Sequence, residues 1–302
     1  MQLINLGKSD LKVSPIAMGT MSLKGGSTKL NANILHEAYD LGINYFDTAD
    51  LYERGQNETM LGQALSSQRD QVIYATKVGN QWRSEGNAWD WKASGPYIIK
   101  TVESSLTRLK TDYIDLYQLH GGMIEDPIEE IIDAFERLVE SGKIRYYGLS
   151  SIRPNVIATY AERSNIVSVM MQYNLLDRRA EAVFPLLAKR NIGVVSRGAL
   201  TQGMLIDKTI DSYLQLTSGE VALANRNVDR LADNLGVGKM TILLAYVLKH
   251  SAISAAALGI RTLSQLDDLK TAMDELSKMS FLDREDLHKG LRKLEYTDHL
   301  HS

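Results

Sequence analysis

Eight short apolar runs recur along the chain, separated by longer segments in which apolar residues follow a helical spacing. The runs are PIAMG (15–19), INYFD (43–47), VIYATK (72–77), IDLYQLH (114–120), IRYYGLS (144–150), VSVMMQY (167–173), IGVVSRG (192–198) and ISAAALG (253–259). Most are apolar on both faces, which is typical of parallel strands covered by helices. The alternation predicts a parallel eight-stranded (β/α)8 TIM barrel, although a doubly wound open sheet would give a similar pattern.

The segment before the first run predicts a short β-hairpin at the bottom of the barrel. LINLGKSDLKVS (3–14) has two apolar stretches with GKSD (7–10) as the turn between them. No linker, low-complexity tract or repeat longer than the βα unit interrupts the chain. We therefore expect one domain over residues 1–302.

Composition narrows the kind of partner. The chain has no cysteine, which excludes disulfides, thiolate metal sites and cysteine nucleophiles. Its net charge of -3, without a concentrated basic block, argues against a nucleic-acid partner or an anionic membrane. It also lacks the run of about 18 apolar residues that a membrane helix needs, and its start is too polar for a signal peptide. We expect a cytoplasmic protein, as a monomer or small homo-oligomer, that acts on a small molecule.

Polar side chains end three successive strand segments of the predicted barrel. Asp47, Lys77 and His120 occupy these ends, and Tyr52 lies in the loop after the first. Because consecutive strands are neighbours and barrel active sites lie at the carboxyl ends of strands, the four side chains should converge at the barrel mouth. Singly, each has a structural explanation, such as a turn cap, a snorkelling cation or a core histidine. Their joint placement favours a catalytic group.

An acid, a lysine, a phenol and a histidine together suit proton transfer to an oxygen atom. An ammonium group beside a phenol favours the phenolate form and makes the phenolic proton easier to transfer near neutral pH. A carboxylate keeps that ammonium charged and in place, and a histidine opposite can orient a substrate carbonyl. The chain offers no obvious nucleophile for the carbonyl carbon. A bound hydride donor would complete the reaction.

Other nucleotide and metal signatures are missing from the sequence. The absence of GxGxxG removes the Rossmann fold as a route to a nicotinamide cofactor. LGVGKMT (235–241) would need glycine at position 233 to match a phosphate loop; Asp233 stands there, so we interpret the segment as a helix start. The histidines other than His120 show no ligand spacing, and no metal is implied.

The chain resembles the aldo-keto reductases, which are NADPH-linked (β/α)8 barrels, and looks closest to bacterial members with a short C-terminal tail. The matching stretches are GINYFDTADLY, ETMLG, ATKVG, SSLTRLKTDYIDLYQLH, GKIRYYGLSS, QYNLLDR, GALTQGML and LGIRTLSQL. By this resemblance Tyr52 is the expected general acid and Lys77 the residue that tunes it. Asp47 is the expected partner of Lys77, and His120 is expected to orient the carbonyl.

The resemblance also implies an NADPH site. The family holds the nicotinamide carboxamide with a Ser-Asn pair and a glutamine; Ser150, Ser151 and Gln172 stand there, so Ser151 replaces the asparagine. Arg197 stands where many relatives stack a tyrosine, and Arg261 suits a ribose 2′-phosphate, which favours NADPH over NADH. The full expected set of cofactor contacts is Gly19, Thr20, Asp47, Ser150, Ser151, Gln172, Arg197, Gly198, Leu200, Gln202, Gly203, Met204, Gly259, Arg261, Gln265 and Asp268, with Leu269 in place of the family's adenine-contacting asparagine.

Substrate contacts are expected from Met21 and Trp82, and the loop GGMIEDP (121–127) and the polar segment after Met204 are further candidate walls. Trp82 belongs to the long loop GNQWRSEGNAWDWKAS (79–94), which follows Lys77 and is a candidate roof for the site. Its other tryptophans are equally well explained by packing on the barrel rim. We expect the tail after residue 275 to add little wall, which favours an open pocket for small, varied aldehydes.

Three functions remain open at this point. The leading prediction is NADPH-dependent reduction of aldehydes or ketones to alcohols. A cofactor-sensing binding module with low turnover is the alternative, because the family resemblance extends to channel-associated subunits; the intact tetrad disfavours it. A Schiff-base aldolase with Lys77 as the nucleophile is the third, but it leaves Asp47 unexplained, since a paired lysine stays protonated.

Overall fold

The structure is a computed structural model that describes residues 1–280 and 282–300, so positions 281, 301 and 302 of the expected domain lie outside the described residues. In chain order the strands are β1 (Ile4–Asn5), β2 (Lys12–Val13), β3 (Ile16–Gly19), β4 (Tyr45–Asp47), β5 (Ile73–Val78), β6 (Asn80–Trp82), β7 (Trp89–Trp91), β8 (Ile114–His120), β9 (Ile144–Ser150), β10 (Ser168–Gln172), β11 (Gly193–Arg197) and β12 (Ile253–Gly259). The helices are α1 (Lys29–Asp40), α2 (Gln56–Ala64), α3 (Gly95–Leu109), α4 (Ile128–Glu140), α5 (Pro154–Arg163), α6 (Phe184–Lys189), α7 (Ser218–Leu235), α8 (Lys239–Leu248), α9 (Leu263–Lys278) and α10 (Arg284–His288).

Eight parallel strands close into one barrel, in the order β3–β4–β5–β8–β9–β10–β11–β12. The closure between β12 and β3, with Ala257 beside Ala17, excludes the open doubly wound sheet. Each predicted strand is present, and the bounds differ from the predicted ones by no more than two residues. The (β/α)8 barrel prediction is confirmed. The segment 235–241 does begin a helix, because Gly238 precedes the first residue of α8.

The hairpin β1–β2 closes the bottom of the barrel, as predicted. Its strands pair antiparallel, with Ile4 opposite Val13. Leu6, Leu11 and Val13 are buried in the same apolar cluster as Leu116 and other inward-facing strand residues. Burial of this kind contributes about 25 cal/mol for each Å² of apolar surface removed from water. The hairpin therefore shields one end of the barrel interior from water and leaves the carboxyl ends of the strands as the open end.

The predicted roof loop at residues 79–94 is in fact ordered by a second hairpin, β6–β7, in which Trp82 lies opposite Trp89. The ring of Trp91 lies close to Gly79 and Gly121, and its Nε1 donates a 2.7 Å hydrogen bond to Asp126. Trp89 is half exposed. The tryptophans thus anchor the hairpin to the rim of the barrel to different degrees.

Within the described residues, no single helix is long and apolar enough to span a membrane; α7 and α8 together pass the length and composition test only as a pair bent by 101°.

Gly7 in the hairpin turn tests how tightly the barrel bottom is closed. It has a φ of +57°, and a Cβ there would overlap the carbonyl oxygen of Val167. Gly142 is a matched control, because its φ is +74° but a Cβ would meet no atom within 4 Å. We expect Gly142→Ala to cost about 1 kcal/mol of unfolding free energy from the backbone conformation alone. We expect Gly7→Ala to cost roughly 3 kcal/mol. Equal losses in urea unfolding would show that the hairpin does not pack as described.

Candidate active site

Asp47, Lys77 and His120 lie near the carboxyl ends of three neighbouring strands, β4, β5 and β8. The Nζ atom of Lys77 donates hydrogen bonds to Asp47 Oδ2 at 2.6 Å and to the carbonyl of Thr48 at 2.8 Å. It also lies 3.4 Å from the hydroxyl oxygen of Tyr52. The structure therefore brings the acid, the lysine and the phenol into one hydrogen-bonded group.

The ion pair between Lys77 and Asp47 is buried, with 1% and 4% of the two residues exposed. Burial alone would lower the pKa of Lys77, but Asp47 and Tyr52 outweigh it and raise that pKa above its usual value. Lys77 therefore stays protonated near neutral pH. The second carboxylate oxygen of Asp47 accepts a 3.4 Å hydrogen bond from Gln118, which comes from inside the barrel.

His120 is the fourth member of the group and lies against the ring of Tyr52. Its ring meets the ring of Tyr52 edge to face, with centroids 5.8 Å apart. Burial first, and then the charges of Lys77 and Arg197, lower the pKa of His120 to about 3. The imidazole is therefore neutral near pH 7. Its Nδ1 is buried without a partner among the described residues, which favours the tautomer with the proton on Nε2, since an unpaired buried N–H is costly.

Tyr52 is carried by a tight turn rather than by regular structure. The two residues after it, Glu53 and Arg54, have φ values of +47° and +55°, in the left-handed region that few side chains adopt. Glu53 pairs with Lys24 at 2.9 Å, and the guanidinium of Arg54 lies over the ring of Trp82. These contacts hold a strained turn in place, as is common next to functional residues.

A cavity of about 1040 Å³ opens over this group at the barrel mouth. Tyr52, His120 and most of the predicted contacts line its wall: Gly19, Met21, Asp47, Ser150, Ser151, Gln172, Arg197, Gly198, Leu200, Gln202, Gly203, Gly259, Arg261, Gln265 and Asp268. Leu269 lies on the same wall. Lys77 does not line the wall; its Nζ lies behind it, next to Asp47 and Tyr52.

Three predicted residues lie away from this wall. Thr20 is buried, and its carbonyl accepts a hydrogen bond from Asn57. Met204 packs in the apolar core. Trp82 Nε1 donates a 3.1 Å hydrogen bond to the carbonyl of Leu51, which turns the indole onto the Tyr52 loop instead of into the cavity. The structure thus does not place Trp82 where it was expected to meet substrate.

The expectation that the tail adds little wall is wrong, because Tyr296, Thr297, Asp298 and His299 line the cavity. The carbonyl of His299 accepts a 3.0 Å hydrogen bond from the backbone of Asn155. Tyr296 lies under the guanidinium of Arg179, and Lys293 pairs with Glu181 at 2.9 Å. These contacts draw an irregular segment across the mouth. Its sequence has no periodicity that could have indicated this path.

The sequence analysis did not name three other wall residues individually. Lys208 and Tyr213 come from the irregular segment after β11, and Arg179 follows β10. Lys208 and Tyr213 belong to the polar segment after Met204, which was expected to be a candidate wall, and Arg179 directly follows the QYNLLDR stretch.

The wall has the chemistry of a site for a long, anionic ligand. Arg197, Arg261 and Lys208 make no ion pair with any described residue, so three cations are free to meet phosphate groups. Gly198 and Gly203 have φ values of +72° and +87°, which let the backbone approach a ligand closely. These residues fit a dinucleotide. In the part of the chain that is described, no group of three His, Cys, Asp or Glu residues could hold a metal ion.

Comparison with known proteins identifies the family. Residues 15–287 match the profile of the Aldo/keto reductase family. The chain is 44% identical over 304 residues to the uncharacterized oxidoreductase YqkF of Bacillus subtilis (strain 168), over 95% of this chain and 98% of that one. The structure is similar to the solved aldo-keto reductase AKR11C1 from Bacillus halodurans in its holo form, with a TM-score of 0.91, 42% identity and 99% of both chains covered. The chain therefore belongs to the aldo/keto reductase family of oxidoreductases.

A more distant relative bears on the choice of cofactor. The chain is 28% identical over 306 residues to a protein named the NADH-specific methylglyoxal reductase of Escherichia coli (strain K12), over 91% of this chain and 94% of that one. Family membership thus leaves open which dinucleotide this chain uses.

The neutral state of His120 makes the stability of the protein depend on pH. The unfolded chain binds a proton at this residue near pH 6.5, whereas the folded chain does so only near pH 3, so acid favours unfolding across that range. The native protein should therefore lose unfolding free energy between about pH 7 and pH 5. In His120→Gln we expect this loss to be smaller by on the order of 1 to 2 kcal/mol. Urea unfolding at both pH values measures it. His36→Gln, on the exposed face of α1, is the control and should retain the loss. An identical pH dependence in both variants would contradict the depressed pKa of His120.

Proposed function

We propose that this protein reduces aldehydes or ketones to alcohols with NADPH. The observation that carries the proposal is the position of Lys77 Nζ, 2.6 Å from Asp47 and 3.4 Å from the hydroxyl of Tyr52, directly below a cavity that His120 also lines. A phenol beside a buried cation is a proton donor suited to an oxygen that gains negative charge.

Each of the four side chains has one task in this proposal. Tyr52 donates its proton to the carbonyl oxygen. Lys77 stabilises the phenolate that is left, and Asp47 holds Lys77 in place. His120, neutral and with its proton on Nε2, donates a hydrogen bond that orients the carbonyl. A reduced nicotinamide, when bound, supplies the hydride for the carbonyl carbon.

The surroundings of Lys77 argue against an aldolase that uses this lysine as a nucleophile. Its Nζ makes hydrogen bonds to Asp47, Thr48 and Tyr52, and the residue is only 1% exposed. A nucleophilic amine needs a free lone pair and access to substrate. The raised pKa of Lys77 keeps its nitrogen protonated, and its burial keeps that nitrogen away from substrate. Proton transfer is the chemistry that this geometry supports.

NADPH is proposed over NADH because of the surroundings of Arg261. Its guanidinium makes no ion pair with a described residue, and its backbone N–H donates a 2.8 Å hydrogen bond to Gln265 Oε1, which fixes the turn that precedes α9. A free guanidinium at a helix start suits a phosphate monoester such as the ribose 2′-phosphate.

Tyr52→Phe tests the proton donor. The substitution removes only the hydroxyl group, so we expect carbonyl reduction to fall by roughly a hundredfold or more while the cofactor still binds. Turnover follows from the loss of nicotinamide absorbance, and binding from calorimetry. Tyr39→Phe is the matched control, because that hydroxyl bonds Gln71 far from the cavity, and its turnover should be unchanged. Full activity in Tyr52→Phe would refute the assigned acid. Cofactor binding without turnover in the native protein would favour the cofactor-sensing module instead.

Arg261→Ala tests the choice of cofactor. Loss of a charge-assisted contact to the 2′-phosphate should weaken NADPH binding by about tenfold to a hundredfold and leave NADH binding within about twofold. Arg226→Ala, an exposed arginine on α7, should affect neither. Dissociation constants from titration of both cofactors into all three proteins provide the measurement. Equal losses for NADPH and NADH would rule out the phosphate contact.

A further inference from the structure

Gln172, at the end of β10, has its side-chain amide held by an unusually complete set of partners. Its Nε2 donates one hydrogen bond to Asp177 Oδ2 at 3.1 Å and another to the hydroxyl oxygen of Tyr213 at 3.0 Å. Both N–H bonds of the amide are therefore used within the protein. Its Oε1 accepts only a long 3.3 Å contact from Arg197, so one lone pair remains free.

Asp177 determines which way this amide points. A carboxylate accepts hydrogen bonds and donates none, so the reversed amide would set Gln172 Oε1 against Asp177 Oδ2, two acceptors in contact. Tyr213 does not distinguish the two orientations, because its hydroxyl accepts a 2.9 Å bond from Asn174 Nδ2 and still has a proton that it could donate to a reversed amide. Asn174 in turn is fixed by two backbone N–H donors at its Oδ1.

Asp177 is itself immobile. It is 1% exposed, and both of its oxygens are held by the guanidinium of Arg179, each at 2.8 Å. The backbone N–H of Arg179 also donates to Oδ1. The ring of Tyr296, from the C-terminal segment, packs against the same guanidinium. The carboxylate that orients Gln172 is thus locked by partners that do not themselves need a ligand.

We infer that Asp177 is a positioning residue that presents Gln172 to the cavity as a hydrogen-bond acceptor only, while Tyr213 holds the amide in place without setting its orientation. The inference rests on the proposed function, because the ligand group that it selects is the N–H of a nicotinamide carboxamide. A cofactor whose carboxamide is replaced by a group without N–H should bind less well. Asp177 determines this preference for a carboxamide N–H although it does not line the cavity.

Replacement of Asp177 by asparagine should reverse the amide of Gln172. The new Oδ1 should stay toward Arg179 Nε and the backbone N–H of Arg179, because the opposite orientation would set the NH₂ group against both of these donors, whereas this one sets it against Arg179 Nη2 alone. Its NH₂ group then faces Gln172, and only the reversed amide can accept from it. Gln172 would present N–H groups to the cavity instead of a lone pair, and the preference for a carboxamide N–H would disappear.

The test compares two ligands of equal charge, NADP⁺ and its 3-acetylpyridine analogue, in which a methyl group replaces the carboxamide NH₂. Equal charge matters because Asp177→Asn also removes one negative charge. Calorimetric dissociation constants give the ratio of the two affinities. We expect the native protein to bind the analogue roughly fivefold to tenfold more weakly, the value of one hydrogen bond. In Asp177→Asn we expect a ratio within about twofold of unity.

Two further variants show whether the ratio of the two affinities depends on the orientation of the Gln172 amide. Tyr213→Phe leaves Asp177 in place, so it should weaken both ligands and keep the native ratio. Asp133→Asn, an exposed acid on α4, should change neither affinity. If Asp177→Asn does not fold, Gln172→Met removes the acceptor with Asp177 intact and should bring the ratio of the two affinities close to unity.

The outcomes separate this inference from the proposed function. A native ratio that persists in Asp177→Asn, or in Gln172→Met, overturns the inference while the enzyme remains a dinucleotide-binding reductase. A native ratio near unity overturns it as well. Failure of the native protein to bind either dinucleotide overturns the proposed function itself.

Discussion

The buried ion pair between Lys77 and Asp47 is the interaction on which the rest of the site depends. Two charges removed from water are tolerated only when they are paired and hydrogen-bonded, and here the pair lies 2.6 Å apart on neighbouring strands. Either residue alone would leave an uncompensated buried charge, at a cost of about 3 to 5 kcal/mol. The barrel provides that pairing because β4 and β5 are adjacent. The strained turn after β4 then brings the hydroxyl of Tyr52 to the same nitrogen.

One buried patch holds a lysine that stays charged beside a histidine that stays neutral. Burial disfavours the charged form of both side chains, but Asp47 lies within hydrogen-bond distance of Lys77 and outweighs that effect, whereas the charges of Lys77 and Arg197 add to the effect of burial at His120. Titratable groups whose environments push their pKa values apart are typical of acid–base sites. In the proposed reaction a fixed cation and a neutral donor both favour an oxygen that becomes more negative, and neither competes with Tyr52 for the role of acid.

The sequence predicted the barrel and the four central residues for the same reason. Strand ends are set by short-range apolar patterns, and neighbouring strands fix which ends meet, so Asp47, Lys77 and His120 could be placed together without coordinates. The sequence did not indicate that residues 79–94 form a hairpin, in which the indole of Trp82 bonds the carbonyl of Leu51. The path of residues 296–299 depends on single long-range contacts with Arg179 and Asn155. No local pattern encodes such contacts, and the network around Asp177 and Tyr213 was missed for the same reason.

The most direct test of carbonyl reduction by this site follows the hydrogen that reaches the carbonyl carbon. A small aldehyde would be converted once with NADPH deuterated at the nicotinamide C4, and once with unlabelled NADPH in heavy water, and the alcohol analysed by mass spectrometry. The result predicted is one deuterium on the alcohol carbon from the labelled cofactor and none from heavy water, because Tyr52 delivers a solvent-exchangeable proton to oxygen alone. Deuterium from heavy water on carbon, or a substrate adduct on Lys77, would contradict the proposed chemistry.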